Sequence, residues 1–404
     1  MTDEHLEELE RLADTAGAEV VGTTQQRLDR PNPKFYVGEG KAEELRDLAR
    51  EQDASLIIFD ELLSPAQGRN LEELTGTRIM DRAELILDIF ATRARTAEAR
   101  MQVELAQLQY MLPRLTRMWA HLSRVRGGVG MRGPGETQLE TDRRMVGHRI
   151  SRLRDDLGRV ATQRATQRKG RAGELRVALV GYTNAGKSSI LRALSGTDVF
   201  VEDRLFATLD AATRAIDLGE GLGVLLTDTV GFIRKLPHHL VASFRATLEE
   251  TTEADLLLHV IDASHPSWEE QRAVVEDVLG ELGLQTRPTV LVFNKMDRLS
   301  PEEQEGIRQR VTPGHAPDVI FVSTVEDGGL DPLRQLLTER VRALRPEVRV
   351  VLPAAEGAAL AEIYRDGEVL EREDVDSVIR LRARIPDATL GRLRNRGVEI
   401  STLG

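Results

Sequence analysis

The 404-residue chain predicts an α/β fold built around a doubly wound, mainly parallel sheet, and three features carry that prediction. Between residues 175 and 293, short apolar runs alternate with helical patterns, as strand–helix–strand units require. Ahead of them, apolar residues recur at steps of three and four in two long stretches separated by a glycine-rich segment, which predicts a helical hairpin. A chain of this length also exceeds one hydrophobic core, so several domains are expected.

Residues 1–84 are expected to form a small α/β unit, because the helical stretch at 42–50 precedes an apolar run at 56–59. Residues 85–172 carry the hairpin, an antiparallel coiled coil. From about Glu84, Ile86, Phe90, Ala94, Ala97, Met101, Leu105, Leu108, Leu112 and Leu115 lay one apolar stripe on one long helix, which Pro113 should bend or end. Residues 127–135 are too rich in glycine for regular structure. Leu139, Val146, Ile150, Leu153, Leu157 and Val160 then resume the spacing, and two such helices bury each other's stripe most simply as antiparallel partners. Residues 168–173 read as a linker, residues 173–344 as the doubly wound domain, and residues 345–404 as a small α+β domain. In the last, strand-like runs at 348–352, 378–381 and 398–400 accompany a helical stretch at 355–365.

Net charge is −11, yet its distribution is uneven. Between Arg93 and Arg171, 17 Arg and one Lys face 7 Asp or Glu, so this segment is net +11 and the remainder net −22. Such a segment is either a polyanion-facing arm or a solvated helix surface. No stretch approaches the ~18 apolar residues of a membrane span. The acidic N-terminus carries no apolar signal region, so a cytoplasmic protein is expected. A monomer is also expected. The lack of cysteine excludes disulfides, thiol catalysis and thiolate metal sites.

Chemistry concentrates in the doubly wound domain. Gly181-Tyr182-Thr183-Asn184-Ala185-Gly186-Lys187-Ser188 fits the G-x-x-x-x-G-K-[ST] phosphate loop, between an apolar run and a helical pattern that opens at Ser189. Its glycines let backbone N–H groups wrap phosphates, and the helix start adds the positive end of its dipole. Lys187 should bridge the β- and γ-phosphates and Ser188 should ligate Mg²⁺. Asp228-Thr229-Val230-Gly231 ends a second run: Asp228 can hold Mg²⁺ and the Gly231 N–H can sense the γ-phosphate. Between them, Phe206-Ala207-Thr208 offers Thr208 as a ligand to Mg²⁺ and γ-phosphate, with Thr213 as a weaker candidate. Asn294-Lys295-Met296-Asp297 supplies base identity, because Asp297 can accept from the N1–H and exocyclic amine of guanine whereas adenine leaves it unpaired. Ser323-Thr324-Val325 is expected to complete the pocket through backbone N–H groups. These elements in this order predict a P-loop GTPase domain that takes GTP and Mg²⁺ and yields GDP.

Outside that domain, Tyr36-Val37-Gly38-Glu39-Gly40-Lys41, Asp60-Glu61-Leu62-Leu63-Ser64-Pro65-Ala66-Gln67 and Gln102-Val103-Glu104-Leu105-Ala106-Gln107-Leu108 are specific motifs. So are Pro113-Arg114-Leu115 and Arg132-Gly133-Pro134-Gly135-Glu136-Thr137-Gln138-Leu139-Glu140-Thr141-Asp142-Arg143-Arg144. With these motifs the chain resembles the HflX family of GTPases over roughly residues 20–345. The resemblance implies a protein that binds the large ribosomal subunit, reaches ribosomal RNA with the hairpin, and splits or rescues stalled or idle ribosomes. It also implies hydrolysis stimulated by the ribosome, and ATP use by some members. Thr324 departs from the family pattern, where alanine commonly follows the serine, and the C-terminal segment is one that only part of the family carries in this form.

Phe232 stands where many GTPases place a water-orienting glutamine; it either leaves the water unheld or packs in the domain while a distant side chain holds the water, and on both readings a weak basal GTPase accelerated by a partner is expected. Arg114, Arg117, Arg124, Arg126, Arg132, Arg143, Arg144 and Arg149 are the candidate RNA contacts, with salt-sensitive phosphate binding expected. Two other functions fit the same residues: a ribosome-assembly GTPase, or a signalling switch whose hairpin meets acidic protein partners.

Overall fold

In the computed structural model, which describes residues 2–118, 134–168, 174–196, 204–219, 221–236, 251–311, 318–375 and 377–402, strands β1 (Leu56–Phe59) and β2 (Arg78–Asp81) pair in parallel. Helices α1 (Thr2–Thr15), α2 (Glu39–Glu51) and α3 (Pro65–Thr75) accompany them. The start of α3 follows from local sequence. Ser64 accepts from the Gln67 N–H, the Gln67 side chain accepts from the Ser64 N–H, and Pro65 takes the first helical position. Phe35, Val37, Ala42, Phe59, Leu63, Leu71 and Ile79 form the core beneath.

The single stripe expected from Glu84 is divided into two helices, α4 (Arg82–Arg93) and α5 (Ala97–Met118). Ala94 leaves the helical region (φ −63°, ψ 108°), and the Thr96 hydroxyl accepts from the Ala99 N–H, so a new cap interrupts the period. Pro113 does not end α5, which runs on to Met118. Beside the proline, the Arg114 guanidinium lies 3.5 Å over the Tyr110 ring and donates to the Tyr110 carbonyl. Helix α6 (Pro134–Arg168) takes in Pro134 and Gly135, which the glycine-rich loop was expected to hold; residues 119–133 and 169–173 lie outside the described residues. The two predicted stripes meet: Leu105, Ile150 and Leu153 are buried, with Met101, Leu108, Leu112, Val146 and Leu157 packed around them.

The described residues fall into two compact units. The first is drawn from residues 1–162, 203–210 and 234–246, the second from residues 163–202, 211–233 and 247–404. In the second, six strands run in the order β4-β5-β3-β6-β7-β8. They are β3 (Leu175–Gly181), β4 (Ala212–Gly219), β5 (Leu222–Asp228), β6 (Leu256–Asp262), β7 (Thr289–Asn294) and β8 (Val319–Phe321). All neighbours are parallel except the edge pair β4–β5. Both sheet faces are covered: along β7, Val290 and Val292 enter one core, while Leu291 and Phe293 enter the other. Helices α7 (Lys187–Ser195), α8 (Trp268–Glu281), α9 (Pro301–Val311) and α10 (Asp331–Leu344) belong to this doubly wound arrangement. The strand order reverses beside β3, so the crevice beyond its carboxyl end is where a ligand is expected.

The remainder of the second unit is β9 (Glu347–Pro353), α11 (Gly357–Asp366), β10 (Glu368–Val375), β11 (Val378–Arg384), α12 (Asp387–Asn395) and β12 (Glu399–Thr402). The antiparallel order β10-β11-β9-β12 is that of a split β-α-β arrangement. Its core is Val348, Val350, Leu352, Ile363, Leu381 and Leu393 with their neighbours. Among the described residues, no helix is long and apolar enough to cross a membrane.

A candidate nucleotide-binding site

Strand β3 ends at Gly181 and α7 begins at Lys187, so the phosphate loop spans the crevice mouth. Its two glycines are sterically required. A Cβ on Gly181 would fall 2.3 Å from the Val260 carbonyl oxygen, and one on Gly186 (φ +99°) would fall 2.1 Å from Asn294 Nδ2. Lys187 is buried, and its Nζ donates to the carbonyls of Tyr182 (2.8 Å) and Gly181 (3.1 Å). Burial pulls the Lys187 ammonium down to about 8; Asp228 opposes the fall and Lys295 adds to it.

That value sets a pH dependence. A polyphosphate needs the charged amine, which the protein alone surrenders as pH rises through about 8. GTP affinity should therefore be about tenfold weaker at pH 9 than at pH 7, with proton uptake on binding, in a calorimetric titration. Lys187→Arg, which does not ionise in this range, should bind with no such slope; an equally steep slope in that variant would rule Lys187 out as its source.

Ser188 donates through Oγ to Asp228 Oδ2 at 2.6 Å, and Asp228 is fully buried at the end of β5. A hydroxyl and a carboxylate so close are hard oxygen donors of the kind Mg²⁺ takes. Thr229 is engaged in the fold, its hydroxyl donating to the Leu179 carbonyl at 2.6 Å. A Cβ on Gly231 would come 2.8 Å from Thr183 Cα and 3.1 Å from Lys187 Nζ, so only glycine fits beside the lysine. Phe232 has its main chain docked on the phosphate loop: its N–H donates to Gly181, and its carbonyl accepts from the Thr183 N–H at 2.7 Å. Its ring is 1% exposed and packs in the domain.

At the end of β7, Asn294 Nδ2 donates to the Ala185 carbonyl at 2.9 Å, while its Oδ1 is buried with no hydrogen-bond partner among the described residues. Lys295 adopts φ 62° and donates to Asn184 O (2.8 Å) and Asp262 Oδ2 (2.7 Å). Asp297 Oδ1 accepts from Ser323 Oγ at 2.6 Å, and that hydroxyl accepts from the N–H groups of Val325 and Glu326. Met296 packs in the core, Thr324 is half-buried, and Val325 is exposed.

Two features escaped the sequence reading. Asp262 orients Lys295, and its position at the carboxyl end of β6, beside the Asn-Lys-x-Asp strand, was the available signal. Ser323 acts through its side chain as well as its backbone surroundings. Phe206, Ala207 and Thr208 pack within the first unit. Thr213 has its hydroxyl 2.9 Å from that of Thr227, across the β4–β5 pair.

The arginines divide. Arg114 donates to Asp81 (2.9 Å) and to the Leu63 carbonyl, and Arg149 forms a two-pronged pair with Glu104 (2.6 and 2.7 Å). Both therefore have structural roles that composition did not reveal. Arg143 and Arg144 are exposed on α6. Arg124, Arg126, Arg132 and the Arg117 side chain lie outside the described residues.

Residues 3–91 match the family model "GTP-binding GTPase N-terminal", residues 93–171 "GTP-binding GTPase Middle Region", and residues 176–295 "50S ribosome-binding GTPase". The chain is 52% identical to the GTPase HflX of Flavobacterium psychrophilum over 294 residues, 73% of this chain and 71% of that one. It is 45% identical to the GTPase HflX of Escherichia coli strain K12 over 387 residues, 95% of this chain and 90% of that one. A GTP-binding protein from the archaeon Sulfolobus solfataricus, solved in complex with GDP, is 26% identical with a TM-score of 0.46, over 84% of this chain and 96% of that one. With such identity along nearly its full length, the chain belongs to the HflX family and is a GTPase.

Proposed function

We propose that this GTPase binds the large ribosomal subunit and uses GTP binding and hydrolysis to split or rescue stalled or idle ribosomes in the cytoplasm. The observation that carries the reading is the joining, in one chain, of a guanine-nucleotide pocket and a long hairpin with arginines exposed on α6. The match to a family model described as a ribosome-binding GTPase supports the choice of partner. Residues 173–344 act as the nucleotide engine, residues 1–84 and 85–172 face the ribosome, and residues 345–404 form a small accessory domain.

Residues 181–189 wrap the phosphates with backbone N–H groups, and Lys187 neutralises charge on the β- and γ-phosphates. Ser188, Thr208 and Asp228 would hold Mg²⁺, which would supply positive charge against the phosphate oxygens. The Gly231 N–H reads the γ-phosphate. Asn294 and Asp297 read guanine, Lys295 lies along the loop, and Ser323 holds Asp297 in place. Arg143 and Arg144 neutralise ribosomal RNA phosphates, so binding weakens steeply with salt.

The test is a sucrose gradient of 70S ribosomes incubated with the full chain. A slowly hydrolysed GTP analogue should shift ribosomes into subunits, leaving the protein with the large one, and GDP should not. Equal sedimentation with both nucleotides would refute the reading.

A further inference from the structure

Thr183, inside the phosphate loop, has its backbone and its side chain used very differently by the fold. Its N–H donates to the Phe232 carbonyl at 2.7 Å, one of the two bonds that dock Phe232 on the loop. That N–H is committed to Phe232, so anything Thr183 offers a phosphate must come from its side chain. The residue is 6% exposed, and its Oγ1 is buried with no hydrogen-bond partner among the described residues. Hydroxyls nearby are not left this way. Ser188 Oγ donates to Asp228 and Thr229 Oγ1 to the Leu179 carbonyl, each at 2.6 Å. A buried hydroxyl without a partner costs stability, and valine would fill the same space without that cost.

The surroundings indicate what would satisfy it. A Cβ on Gly231 would come 2.9 Å from Thr183 Cγ2 and 3.1 Å from Lys187 Nζ, so the threonine side chain and the lysine amine adjoin the same glycine. Lys187 and the Gly231 N–H are the groups expected at the γ-phosphate. The amine, as deeply buried as Thr183, donates within the loop to the carbonyls of Tyr182 and Gly181. A terminal phosphate that draws the amine onto itself comes to lie beside Thr183. We propose that the Thr183 hydroxyl donates to a γ-phosphate oxygen, which makes this side chain a determinant of preference for GTP over GDP. This rests on the γ-phosphate lying beside Lys187 and Gly231. A hydrogen bond to a charged oxygen is of the stronger kind, and GDP lacks the group that would accept it.

The experiment measures affinities of the full chain for a slowly hydrolysed GTP analogue and for GDP, by calorimetry with Mg²⁺ present, beside denaturant unfolding of the free protein. Thr183→Val should weaken the analogue about tenfold and leave GDP unchanged. The free variant should be at least as stable as the parent, because a methyl group replaces an unsatisfied hydroxyl. Thr183→Ser keeps the hydroxyl and should keep the parent's preference. A Thr183→Val protein that is less stable or fails to fold, or that loses both nucleotides alike, would show a structural threonine and overturn the assignment. Lys187→Ala tests the underlying reading separately and should weaken the analogue strongly. If it does so while Thr183→Val leaves the ratio of the two affinities unchanged, the role of the hydroxyl alone is overturned. If Lys187→Ala leaves the analogue's affinity unchanged, the γ-phosphate lies elsewhere and the role of the hydroxyl falls with it.

Discussion

Asp297→Asn should turn the pocket from guanine to xanthine, weakening GTP about 10³-fold and making xanthosine triphosphate the better ligand. The argument is one of hydrogen-bond sign. A carboxylate accepts from both the N1–H and the exocyclic amine of guanine, whereas an asparagine amide must set its own N–H₂ against that amine. A buried donor facing a donor loses a bond and leaves both groups desolvated. Xanthine carries a carbonyl in place of the amine and restores the pair. Asp297 is held by Ser323 Oγ at 2.6 Å, itself held by two backbone N–H groups. Ser323→Ala should therefore weaken GTP only about tenfold, because the carboxylate remains while its orientation loosens. Competition between the two triphosphates, read by calorimetry, checks both variants. An Asp297→Asn protein that still prefers GTP would mean that the base is read elsewhere.

The phosphate loop and the strand ends were legible because their geometry is imposed locally: glycines where a Cβ would collide, a lysine and a serine opening a helix, an aspartate closing a buried strand. The hairpin stripes were legible for a similar reason, since spacing alone places Leu105, Ile150 and Leu153 on facing surfaces. What stayed hidden depends on partners distant in sequence. The break between α4 and α5 falls in an uninterrupted apolar period, and its stabilising carboxylate, Asp210, lies more than 100 residues onward. Arg114 reads as a free cation until Asp81 and the Tyr110 ring are brought against it. Edge strand β4 and the charged β10 lack the apolar runs of central strands, because pairing on one side and solvent on the other tolerate polar residues. The role of Asp262 emerges only once β6 lies beside β7 and the carboxylate meets Lys295.

Hydrolysis by the isolated chain should be slow, on the order of 10⁻⁴ to 10⁻³ s⁻¹, and large ribosomal subunits should raise it by about 10²-fold or more. The reason lies in how Phe232 is held. Its N–H and carbonyl are both engaged by the phosphate loop, and its ring is turned into the core. With the backbone docked and the ring buried, the position offers no hydrogen-bonding group to an attacking water. Phe232→Gln should therefore leave basal hydrolysis slow while losing about 2 to 4 kcal/mol of stability, since an amide would replace a buried ring. Single-turnover phosphate release, with and without large subunits, measures the rates, and denaturant unfolding measures the cost. If Phe232→Gln instead hydrolysed GTP rapidly and remained stable, the segment would have swung free of the loop. If the parent chain turned over quickly alone, some other side chain must already hold the water, and the ribosome would have no catalytic group left to supply.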